Sequence, residues 1–200
     1  NLIEGNVIWG TNDNAMQIAA DAIVRNNIVL GSSVAFQSHQ SGSPSNIHFV
    51  HNTVITTGDG VNVRNVTGSV LIANNAVYAQ GGTAIRLISG STGLVTLAGN
   101  VGQGGLSGGS GGYVNGNGIG ADFVAAHFSG SPPIDVFPRA GSALIGAAAP
   151  AHLTSVDFNG TSRTGSTDVG AYRFNAAGNL GWRITAGFKA AGTAGAAPSP

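Results

Sequence analysis

Arg25, His48 and His51 make the nearest thing to a basic cluster in this chain. A histidine supplies a base close to neutral pH, and an arginine neutralises a carboxylate, so the trio suits proton abstraction beside an acidic group. Arg25 stands two residues before Asn27, and His51 stands one before Asn52. If those asparagines stack on successive coils, the two side chains come close. His48 lies between the apolar Ile47 and Phe49, so strand alternation points it outward. The plainer reading of the same residues is a set of surface turn side chains.

Few other ionisable groups are available. The "GDG" at Gly58 to Gly60 sets Asp59 in a tight turn, a common use of Asp-Gly. No aspartate pair or triplet among the repeats resembles a calcium cage, and no histidines have zinc spacing. With no cysteine, disulfides and Cys-based metal sites are excluded. No metal or cofactor is expected.

The elements that must carry these groups are foreshadowed by composition. Only 8% of residues are charged, against about 25% in typical soluble domains, while 33 are glycine. Glycine and asparagine supply the positive φ of turns, so a turn-rich β protein is expected. Net charge is zero and Lys189 is the single lysine, so the basic footprint of a nucleic-acid binder is missing. No apolar run reaches the length of a membrane span.

The strongest signal is a repeat. Asn6, Asn27, Asn52, Asn75 and Asn100 follow one another at intervals of 21, 25, 23 and 25 residues. Each closes a phrase of alternating apolar residues, such as Ile47-Phe49 before Asn52 and Val70-Ile72 before Asn75. A second short alternating strand follows: Met16-Ile18, Val34-Phe36, Val61-Val63 and Ile85-Leu87. Short strands at a period near two dozen predict a solenoid whose coils bury their apolar faces on their neighbours. The repeated asparagine then reads as architecture, stacked at a turn, bonded to its neighbours and tolerant of the left-handed conformation. Trp9, which follows the inward Ile8, is expected to pack.

The phrases "IVRNNIVLG", "FVHNTVITTGDGVNV" and "LIANNAVYAQGGTAIRL" resemble coils of the right-handed parallel β-helix, the pectate-lyase-like superfamily. "DVFPRAGSALIGAA" and "VDFNGTSRTGSTDVGAYRF" resemble the closing segment of secreted bacterial β-helix proteins. The expected organisation is β-helix coils over 1–105, a flexible Gly-rich connection over 106–120 and a closing segment over 121–175. A last strand or cap and a disordered tail would fill 176–200. The chain opens directly on a repeat phrase, so it reads as the C-terminal part of a larger β-helix, its first coil covered by an N-terminal segment or a second chain.

The resemblance implies an extracellular, bacterial protein acting on acidic polysaccharide, as a lyase or an epimerase. Arg25, His48 and His51 are then the catalytic candidates, and Gln17, Asn62, Arg64 and Arg86 the groups facing sugar. Gln17, Asn62 and Arg86 share one outward stripe. The resemblance also implies that Arg163 pairs with Asp157 or Asp168 to pin the closing strand. A sparse acid-base inventory favours the alternative, a non-catalytic extracellular β-helix serving as adhesin, matrix or filament component.

Overall fold

The computed structural model describes residues 1–37, 43–88 and 91–186. They form an all-β parallel solenoid of about four turns. Every coil contributes one strand to each of three sheets. The first sheet holds Leu2–Glu4, Ala22–Arg25, Asn46–Val50, Ser69–Ala73 and Val95–Ala98. The second holds Val7–Ile8, Ile28–Gly31, Thr53–Thr56, Ala76–Ala79, Asn100–Gln103 and Tyr113–Asn115. The third holds Met16–Ile18, Val34–Gln37, Val61–Arg64, Ile85–Leu87 and Leu106–Ser107.

Register follows the sequence repeat. Ile3, Val24, Phe49, Ile72 and Leu97 are aligned strand to strand, as are Met16, Val34, Val61, Ile85 and Leu106. These columns face the inner core with Val29, Val54 and Val77 of the second sheet, and Phe36 meets Phe49 edge-on at 5.3 Å between ring centres. Each fully buried Val, Ile or Phe is worth roughly 1.5–3 kcal/mol, which is why a one-residue slip of register would be so costly.

A second core lies on the other side of the second sheet. Ile28, Leu30, Ile55, Ala76, Tyr78 and Val101 face away from the solenoid axis and pack on Phe123, Val136, Phe137, Phe158 and Tyr172. The three central second-sheet strands, "IVLG", "TVIT" and "AVYA", are thus covered on both faces and lack polar alternation for that reason. Residues 121–175, expected to close the solenoid, therefore lie along its flank. Ile184 joins them, bridging antiparallel to Ile134, and Trp9 and Trp182 pack at the margin of this outer core. Residues 187–200, which include the tail expected at the C-terminus, lie outside the described residues.

The Gly-rich stretch is more structured than a flexible connection. Leu106–Ser107 and Tyr113–Asn115 extend the third and second sheets, and the glycines between them cross the end of the inner core. A Cβ at Gly109 would meet only the tips of leucine side chains, whereas one at Gly112 would collide with the Leu97 backbone. Glycine is needed there because the chain passes so closely over the last coil.

Candidate functional site

The corner between the first and second sheets is built from asparagine amides. Asn6, Asn27, Asn52 and Asn75 each donate Nδ2 to the Oδ1 of the next asparagine, at 2.9, 3.0, 3.1 and 3.0 Å, ending on Asn100. The backbone amide of each donates to the same oxygen. The remaining Nδ2 hydrogen serves a strand carbonyl, as from Asn52 to Val24. These amides are fully committed, and no catalytic work is left to them.

The left-handed residue at this corner is the one before each asparagine. Gly5, Asn26, His51, Asn74 and Gly99 have φ of 67°, 52°, 54°, 57° and 61°. The tolerance expected of the stacked asparagines belongs instead to this preceding position. Its side chains reach out and hold the flanking segment. Asn26 donates to the Val156 carbonyl at 2.9 Å. Asn74 accepts from the Ala149 amide at 2.7 Å and donates to the carbonyls of Ala149 and His152. At Gly99 a Cβ would strike Ala149 and the Asn74 amide.

His51 occupies the same position and is fully buried. Its Nε2 lies 3.2 Å from Nδ2 of Asn74. The two hydrogens on that nitrogen are shared among His51 and the carbonyls of Ala149 and His152. Burial first, then the positive charge of Arg163, push the His51 pKa down to about 3, against a weak opposing pull from the Gly170 backbone. That backbone does not reach Nδ1 with hydrogen-bonding geometry. His51 is a neutral structural side chain with no access to substrate.

Arg25 is also occupied. Its guanidinium bonds the Glu4 carboxylate at 2.9 and 3.0 Å from the neighbouring strand, and it aligns with Val50 in the sheet, one residue short of His51. His48 alone is exposed, between Ile23 and Leu71 on the first sheet, at a shallow hollow of about 250 Å³ with Asp21 and Asn46. The Asp21 carboxylate takes the amides of Ser45 and Asn46 and the Ser45 hydroxyl, and these bonds hold its pKa below the usual value. His51 is thus buried away from His48, while Arg25 shares the outward face of the first sheet with His48, two positions further along the register. Arg64 stands on a different sheet altogether, aligned with Gln37.

The stripe expected to face sugar is in register on the third sheet: Gln17, Ala35, Asn62, Arg86 and Ser107 align from strand to strand. Ala35 interrupts it and Asn62 is largely buried, while Arg86 bonds Asp59 at 3.0 Å and the Thr83 hydroxyl at 3.2 Å. Gln17 and part of Arg86 remain open to solvent.

The carboxylate pairing expected of Arg163 is replaced by backbone bonds. Its guanidinium donates to the carbonyls of Asp168, Gly170 and Ala171 at 3.1, 2.7 and 3.1 Å. Burial lowers its pKa to about 10, with the charges of Asp157 and Asp168 working in the other direction. Those carboxylates are consumed by turns: Asp157 accepts from the amides of Asn159, Thr161 and Arg173, and Asp168 from those of Gly146 and Phe174 and the Ser166 hydroxyl. Among the described residues the ion pairs are Arg25–Glu4 and Arg86–Asp59.

A further buried pair, missed by sequence reasoning, ties the flank to the second sheet. The Tyr78 hydroxyl donates to Asp122 at 2.6 Å, and Asp122 also receives the Asn117 and Ala143 amides and the Ser142 hydroxyl. Burial, then the Asp122 contact, drive the Tyr78 pKa upward. The polar clusters of the described residues therefore work mainly as fasteners between solenoid and flank. The class of protein they define is a parallel β-solenoid with a strapped-on flanking segment. No family model, curated protein or solved structure matches the chain.

Proposed function

We propose that this chain is a non-catalytic part of an extracellular, bacterial right-handed β-helix protein of the pectate-lyase-like type, serving as adhesin, matrix or filament component and holding acidic polysaccharide without cleaving it. One observation carries this reading. Of the three groups expected to act as base and cation, His51 is buried and neutral under the flank and Arg25 is bonded to Glu4, which leaves His48 alone open to solvent. A lyase needs an accessible base and a carboxylate neutraliser at one place. A stiff solenoid with amide and hydroxyl surfaces suits contact rather than turnover, and the column of Gln17, Asn62 and Arg86 is its most regular polar face.

The test is to incubate the chain with pectate and alginate while following unsaturated uronate absorbance, and in parallel to measure co-sedimentation with the gelled polymers. Retention without cleavage is expected. A second reading, a lyase acting through His48, is favoured by its exposure beside the hollow at Asp21 and Asn46. Cleavage that disappears in His48→Ala would establish that reading in place of the first.

A further inference from the structure

We propose that two adjoining hollows on the flanking segment form a binding site for an acidic oligosaccharide, with Arg173 and Arg183 taking its carboxylates. The hollows measure about 430 and 480 Å³ and share Gly178, so they lie on either side of one loop, residues 175–181. Each combines an arginine with asparagine and apolar surface. Arg173 stands with Asn159, Phe174 and Leu180 in the first, and Arg183 stands with Asn179 and Ile184 in the second.

Three features point to an anionic, hydroxylated ligand. Neither arginine has a carboxylate within ion-pair distance among the described residues, although Arg173 gives one nitrogen to the Ser162 carbonyl. A guanidinium so placed matches a carboxylate in charge and fork geometry. Each hollow is also lined by one carboxylate that is held by backbone amides: Asp157 in the first accepts three, and Asp135 in the second accepts that of Phe137. Apolar surface remains open for a sugar ring, since Leu180 is 72% exposed at the rim beside Phe174.

The site is also preformed. Asn159 donates to Asn179 at 3.0 Å and accepts from the Trp182 amide at 3.0 Å, while Asn179 donates to the Trp182 carbonyl. A loop held this way loses little freedom on binding, so more of the contact energy appears as affinity.

The inference rests on the polysaccharide reading above and places the contact on the flank rather than the third sheet. It is tested by calorimetric titration of the full chain with oligogalacturonate and with glucose oligomers of equal length. Binding of the acidic oligomer alone is expected, weakening as salt rises. The Arg173→Gln, Arg183→Gln double variant should lose about tenfold or more in affinity. Leu180→Asp, a change at an exposed position that leaves the fold intact, should weaken it as well. Equal binding of both oligomers, or wild-type affinity in both variants, overturns the inference. Loss of binding in Arg86→Gln with the flank variants unaffected overturns it while sparing the proposed function, and no binding of either oligomer overturns both.

Discussion

Asn74 grips Ala149 from both sides, its Oδ1 accepting the Ala149 amide at 2.7 Å and its Nδ2 donating to the Ala149 carbonyl at 3.1 Å. The two residues are 75 positions apart, and the grip fastens the flank to the corner of the solenoid. Asn74 has φ of 57°, so its amide leaves the corner in a direction open to few other residues. Replacing it separates two effects. Asn74→Gly keeps the backbone conformation and loses the bonds, and is expected to cost about 1–3 kcal/mol. Asn74→Ala adds the left-handed penalty and should cost roughly a further 1 kcal/mol. Chemical denaturation of both variants checks the order.

The stacked asparagines should differ by place. Asn52 is buried, receives two bonds on Oδ1 from Asn27, and donates to Asn75 and to Val24. Asn52→Ala leaves several buried groups unpaired and is expected to cost about 3 kcal/mol or more. Asn6, at the exposed first coil, should cost under about 1 kcal/mol as alanine. Similar midpoints for the two variants in urea would contradict the account.

His51 makes stability depend on pH in a definite direction. Its folded pKa is about 3 against an ordinary value of 6.5, so the unfolded chain binds the proton more readily. Stability is therefore full above about pH 6.5 and falls as pH drops toward 3, by at most about 1.4 kcal/mol per unit. His51→Asn keeps a residue suited to positive φ, as Asn26 and Asn74 show at the same position. Between pH 6 and 4.5, above most carboxylate titration, the wild type should lose stability faster than this variant. Parallel slopes would show that His51 is not held neutral.

The solenoid was legible because its chemistry repeats. One asparagine slot recurring at Asn6, Asn27, Asn52, Asn75 and Asn100, with apolar residues alternating before it, leaves little choice of architecture. The position before it was equally readable in hindsight. Gly5, Asn26, His51, Asn74 and Gly99 are mostly the residue types that accept positive φ. The flank also left a signal, since Ile28-Val29-Leu30 and Ala76-Val77-Tyr78 have no polar face to offer water. What could not be read is what covers His51 or what Arg163 bonds. Both depend on carbonyls and turns set by contacts between distant parts of the chain, and side-chain type alone does not encode them.

Gly111 and Gly112 offer a test of the crossing over the last coil. Their φ values are 70° and 67°, so alanine pays the same backbone penalty at either, about 1–2 kcal/mol. Their surroundings differ. A Cβ at Gly111 meets open space, whereas one at Gly112 collides with the carbonyl and Cβ of Leu97. Gly112→Ala must therefore lift the strand Tyr113–Asn115 off its neighbour Asn100–Gln103 or displace the last strand of the first sheet. Its cost is expected to exceed that of Gly111→Ala by about 1–3 kcal/mol, the usual range for overpacking. Amide exchange should quicken at Asn100, whose amide donates to the Gly112 carbonyl, and at Gly116, whose amide donates to the Gly102 carbonyl, only in the Gly112 variant. Equal destabilisation would mean that the glycines serve turn conformation alone and that the crossing is looser than its contacts imply.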